Sequence, residues 1–173
     1  AETGGAALTE NGRKLARIPV EPRLARILLE ASRNGVMRTV VPLVAAMACD
    51  DPRRRPFDER EKADACHARW RIPGSDFLGT LKLWNWWREE TEGLSETKAR
   101  KLCKANCLSY PKMRDWRELS RLLESLAGRL GLGNGDNGRD ESDLIHRSLL
   151  AGLLSRVGKF DAEARDYRGA HAL

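Results

Sequence analysis

Apolar residues recur at spacings of three and four from one end of the chain to the other, and no stretch alternates as a strand would. Thr9 is placed to cap a short helix over 10–17 that Pro19 ends. Pro22 suits the first turn of a second helix over 23–33, with Leu24, Ile27, Leu28 and Ala31 as its apolar stripe and Asn34-Gly35 as its end. Residues 37–48, MRTVVPLVAAMA, are apolar almost all round, which predicts a central buried helix. Pro42 lies within that run, where it either kinks the helix or occupies its first turn.

A loop, CDDPRRRPF, follows, and then a polar helix from about Asp58 to Trp70 that Pro73-Gly74 breaks. Ser75 is the expected N-cap of FLGTLKLWNWW, with Asp76 near the positive helix end and Leu78, Leu81, Leu83 and Trp84 facing the core. Ser95 is expected to cap a helix over 96–107. After Ser109-Tyr110-Pro111 a long amphipathic helix begins. Its inner face carries Met113, Trp116, Leu119, Leu123, Leu126 and Leu130, and Arg114, Arg117 and Arg121 share the opposite face. GLGNGDNGRDES, which opens with Gly131–Arg139, reads as a flexible break. A last helix spans 143–157, with Gly152 where a neighbouring element approaches closely, and 158–173 has no clear pattern. The pattern as a whole predicts an all-α fold.

Composition supports a polar-surfaced globular chain: 41% of residues are hydrophobic and 32% charged. No apolar run reaches the ~18 residues of a spanning helix, and no basic segment followed by an apolar one marks a signal peptide. The expected compartment is the cytoplasm, with no membrane partner.

The net charge of +6 suggests a polyanionic partner. Its distribution is more telling. Between Lys98 and Arg121 eight Lys or Arg face only Asp115 and Glu118, so this stretch carries a surplus equal to that of the whole chain. Arg53, Arg54 and Arg55, flanked by prolines, would suit phosphate contact. The residues alone weigh this evenly against a solvated loop.

Candidate chemistry is otherwise sparse. Cys49, Cys66, Cys103 and Cys107 lie in apolar or helical patterns, as packed, reduced thiols do. Cys103 and Cys107, with Cys66 and His67, lack the paired spacing of a zinc site. His67, His146 and His171 are scattered, and the Glu89-Glu90 and Asp50-Asp51 pairs have no accompanying nucleophile. There is no GxxxxGK[ST] loop, HExxH or GxSxG. Of the clustered tryptophans, Trp84 and Trp87 are expected to pack between helices and Trp86 at a surface contact, a reading favoured over base stacking. No catalytic residue, metal site or cofactor is assigned to the chain itself.

Five segments together resemble one family. LTENGRKLARIPVEPRLARILLEA (8–31) resembles the end of the winged-helix domain of DEAH-box RNA helicases. VVPLVAAMACDDPRRRP (40–56) is similar to their helix ending in an R-P motif. HARWRIPGSDFLGTLKLWNWW, KLCKANCLSYPKMRDWRELSRLL and IHRSLLAGLLSRVG resemble three later segments in family order, closest to the bacterial HrpA-type branch. The resemblance implies a helical, ratchet-like helicase-associated domain of about seven helices over 20–157. A winged-helix remnant over 1–19 would precede it, and 158–173 would lead into an OB-fold.

It further implies RecA-like motor domains before Ala1 that hold ATP and magnesium, and the OB-fold after Leu173. Single-stranded RNA, bound weakly and without sequence preference, would be the partner, contacted by Arg54 and Arg55 at the R-P motif and by Lys104 and Arg114. The function implied is one wall of the RNA channel, supporting translocation and unwinding in an ATP-hydrolysing enzyme. The competing reading is a non-catalytic protein-interaction module whose basic face docks an acidic partner.

Overall fold

The computed structural model describes residues 7–133, 141–163 and 165–169. Among these the chain forms eight α-helices: α1 (Glu10–Leu15), α2 (Pro22–Asn34), α3 (Met37–Ala48), α4 (Arg60–Ala68), α5 (Asp76–Thr91), α6 (Glu96–Ala105), α7 (Tyr110–Arg129) and α8 (Glu141–Leu153). The all-α expectation holds. One addition to it is a short antiparallel hairpin, β1 (Gly158–Asp161) with β2 (Asp166–Gly169), which pairs Phe160 with Tyr167 in register. Two four-residue strands are too short for alternation to reveal, and the turn between them uses a left-handed Arg165 (φ 51°). The flexible break expected at Gly131–Arg139 falls largely outside the described residues.

Helix ends follow local chemistry. Thr9 Oγ1 accepts from Gly12 N at 3.1 Å, and Ser75 Oγ from Leu78 N at 3.2 Å. Pro22 opens α2, and Gly35, at φ 70°, closes it in the left-handed conformation. Ser95 occupies the N-cap of α6, yet its side chain makes no capping bond, contrary to expectation. Pro42 lies inside α3 and not in its first turn.

The chain divides into two compact units, and the division falls within α3. One unit comprises residues up to Val40 and from Leu130 onward. In it α2 packs on α8, and Leu24, Ile27, Leu28 and Ala31 of α2 and Ile145 and Leu149 of α8 are buried. Gly152 is the point of closest approach: a Cβ there would overlap the Arg23 carbonyl and lie 2.6 Å from Ile27 Cγ1. The buried Ser148 hydroxyl donates to Leu144 O at 2.7 Å and accepts from Asn34 Nδ2 at 2.9 Å, so its burial leaves no unmet polar atom.

The other unit is Val41–Arg129. Its core gathers Val41, Leu43 and Val44 of α3, Trp84 and Trp87 of α5, Cys103 of α6, and Met113, Trp116 and Leu123 of α7. Trp84 and Trp116 lie with ring centroids 4.9 Å apart. Trp116 Nε1 donates to Pro42 O at 2.7 Å, a fully buried bond that ties α7 to α3. Such tilted aromatic pairs add to what their buried area contributes. Of the inner-face residues expected on α7, Leu119, Leu126 and Leu130 are only half-buried, while Ser120 and Ala127 are buried. The buried stripe of α7 thus combines large side chains, Met113, Trp116 and Leu123, with small ones, Ser120 and Ala127.

Candidate nucleic-acid interface

The arginine loop leaves α3 through Pro52, which is buried, and runs alongside the turn between α6 and α7. Three contacts fix this course. Arg54 N donates to Cys107 O at 2.8 Å, Ser109 N donates to Pro52 O at 2.8 Å, and Arg53 bridges Leu108 as a one-residue ladder. Cys107 adopts φ 53°, a conformation uncommon outside glycine, and so turns its carbonyl toward the loop. The same carbonyl meets His67 Nε2 at 3.0 Å. His67 is therefore structural, as expected.

Within this frame the three arginines differ. Arg53 Nε lies 3.1 Å from Asp51 Oδ1, and its Nη2 3.4 Å from Thr80 Oγ1. Arg55 forms a two-pronged pair with Asp64 of α4, at 2.6 and 2.7 Å. Those hydrogen bonds hold the Asp64 carboxyl below the usual aspartate range and raise the Arg55 guanidinium. The Arg54 side chain is exposed and has no acidic partner among the described residues.

The basic stretch from Lys98 to Arg121 sorts in the same way. Arg100 pairs with Glu96 and lies 4.9 Å over the Tyr110 ring. Lys112 reaches Asp50 at 3.3 Å, Arg117 lies 3.3 Å from Glu118, and Arg121 lies 3.5 Å from the same carboxylate. Arg114 meets Asp115 at 3.5 Å and is close enough to Glu96 to add to the fall in its pKa, which Arg100 dominates. Lys98, Lys101 and Lys104 are exposed and unpaired among the described residues. Their spacing of three sets them along one flank of α6, whose last turn leads into Cys107.

The residues expected at the site thus separate. Arg54 and Lys104 flank the Cys107 turn as cations with no carboxylate partner among the described residues, whereas Arg55 and Arg114 have carboxylates beside them. Lys98 and Lys101 were not singled out in the sequence, although the charge surplus of their segment was its signal.

The aromatic cluster is a packing feature. Trp84 and Trp87 are buried, and Trp86 is half-buried with its ring centroid 4.9 Å from that of Trp70. Arg69 covers both of these rings at 4.2 and 4.1 Å. Among the described residues no three His, Cys, Asp or Glu side chains gather as metal ligands would, and no helix is long and apolar enough to cross a membrane.

The R-P loop clamped beside a basic helix agrees with the resemblance to helicase-associated domains, and comparison with known proteins places the chain among them. Residues 21–110, about half of the chain, match the family described as helicase associated domain (HA2), ratchet-like, and the chain belongs to it. It is 37% identical over 163 residues to the ATP-dependent RNA helicase HrpA of Escherichia coli, which covers 94% of this chain and 12% of that protein. It is 34% identical to the HrpA homolog of Haemophilus influenzae, with the same coverage. It is 26% identical over 161 residues to the pre-mRNA-splicing factor ATP-dependent RNA helicase prp22 of Schizosaccharomyces pombe, covering 93% of this chain and 13% of the relative. The chain therefore spans about an eighth of the length of these three relatives, and the expected HrpA-type, DEAH-box helicase-associated region is borne out.

Proposed function

We propose that this chain is the helicase-associated portion of a cytoplasmic ATP-dependent RNA helicase and forms part of the channel for single-stranded RNA. Motor domains elsewhere in the same polypeptide would bind ATP and magnesium, and an OB-fold would lie beside the channel. In this reading residues up to 19 are the end of a winged helix, 20–157 the ratchet-like domain, and 158–173 the approach to the OB-fold.

The observation that carries the reading is the pairing pattern at the R-P loop. Arg54 is held by its backbone while its side chain meets no carboxylate among the described residues. A guanidinium presented in that way suits a phosphate, which it binds through parallel N–H donors. Lys104, with Lys98 and Lys101 behind it, extends the positive surface along α6. Arg55 and Arg114 would act at second hand, Arg55 because Asp64 masks its guanidinium and Arg114 by adding charge at the start of α7. Contacts of this kind read the backbone and not the bases, so binding is weak, salt-sensitive and indifferent to sequence.

The test uses the complete helicase. Arg54→Ala should lower RNA unwinding severalfold while ATP hydrolysis without RNA stays near wild type, because the residue lies outside the motors. Equal loss of both activities, or loss of neither, would overturn the assignment.

A further inference from the structure

We propose that Cys66 and Cys107 are a modification site, forming a reversible disulfide with each other when they meet a low-molecular-weight disulfide of the glutathione class. Cys107 Sγ donates to Cys66 Sγ at 3.5 Å, and of the four thiols these two are the ones in contact among the described residues. Both are half-buried, so a small reagent reaches them, whereas Cys103 is fully buried.

The backbone around them is already held in place. The Cys107 carbonyl takes the Arg54 amide and the ring of His67, the residue after Cys66. Bringing the sulfurs to bonding distance therefore needs side-chain rotation at a preset position and not a search by the chain. Burial and the neighbouring Cys66 thiol push the Cys107 thiol above its ordinary range, and Lys62, one turn before Cys66 on α4, offsets part of that rise.

The reaction proceeds by two exchanges. The Cys66 thiol loses its proton to solvent, and the resulting thiolate, accepting the Cys107 S–H, attacks one sulfur of the reagent. The reagent's S–S bond breaks, a mixed disulfide forms on Cys66, and one reagent thiolate leaves. Cys107 then loses its proton to solvent and attacks the Cys66 sulfur, releasing the second reagent thiolate. The two cysteines are oxidised by two electrons, the reagent disulfide is reduced to two thiols, and no other oxidant is needed.

The crosslink would join α4 to the α6–α7 turn. These are the elements that hold the R-P loop, through Asp64 to Arg55 and through Cys107 to Arg54. The oxidised chain would therefore keep that loop closed against local opening. This chemistry is independent of the RNA reading and stands or falls separately.

The experiment equilibrates the purified chain in buffers of increasing oxidised-to-reduced glutathione, quenches by alkylation and maps peptides by mass. The expected product is two hydrogens lighter than the reduced protein, with a peptide linking Cys66 to Cys107. It should melt on the order of 5 °C higher than the reduced form, since the link closes a long loop. Cys66→Ser should give a glutathione adduct on Cys107 and no link, and Cys49→Ser should form the link as wild type does. Separate glutathione adducts on Cys66 and Cys107 in the wild-type chain, or two free thiols there while Cys49 reacts, would overturn the proposal.

Discussion

The amide of Arg54 donates 2.8 Å to the carbonyl of Cys107, across 53 positions of sequence, while the Arg54 side chain stays in solvent. One residue is thus both fixed and presented. The reciprocal bond from Ser109 N to Pro52 O makes the contact a miniature sheet in an otherwise helical unit.

Hydrogen exchange should register that pairing. The amides of Arg54 and Ser109 should exchange well below the unstructured rate, as should those of α3, whereas the Arg55 amide, which has no backbone partner among the described residues, should exchange fast. Equal rates at Arg54 and Arg55 would mean the loop is not clamped.

Asp64 is the counter-charge that occupies Arg55. Asp64→Asn should free the guanidinium, tighten binding of single-stranded RNA by about the share of one further phosphate contact, and steepen the salt dependence. Thermal stability should hardly change, because exposed pairs contribute little. The pH sign follows from the depressed Asp64 pKa. What the pair adds is complete above the ordinary aspartate value of about 3.9 and is lost as pH falls through the lower folded value. RNA binding near neutrality should thus show no titration from this pair. Weaker binding by the Asn variant, measured by anisotropy, would show that Asp64 matters for holding the loop more than for masking Arg55.

Gly152 has no room for a side chain. Gly152→Ala would drive a methyl into the Arg23 carbonyl and Ile27, so α2 and α8 must separate. Denaturant unfolding should show a loss of about 2–3 kcal/mol, in the range for overpacked cores. A variant as stable as wild type would contradict the close contact between these helices.

Much of this was legible in the chain because it depends on neighbours in sequence. Thr9, Pro22, Gly35 and Ser75 mark helix ends through their own hydroxyls or backbone preferences, and the apolar run 37–48 has little choice but burial. The close approach at Gly152 was also readable, since a glycine in an apolar helix needs a packing reason. The R-P loop was legible as a cation cluster but not in its division of labour. Which arginine is free depends on Asp51 and Asp64, and Asp64 reaches Arg55 only once α4 has folded back beside the loop. The ladder between residues 52–54 and 107–109 is too short to leave a periodic trace. The same holds for the hairpin that follows α8, where four residues per strand cannot show alternation. Ser95 illustrates the converse: the capping residue stands at the helix start, yet its side chain makes no capping bond.

The central claim is that Arg54, and not its neighbours, makes the phosphate contact of the R-P loop. Fluorescence anisotropy with a short labelled single-stranded RNA across a salt series tests it, comparing wild type with Arg53→Ala, Arg54→Ala and Arg55→Ala. The account predicts that Arg54→Ala weakens binding at low salt and flattens the slope of log affinity against log salt by about one unit, while the other two variants change the slope less. Arg54→Ala indistinguishable from wild type at every salt concentration would contradict it.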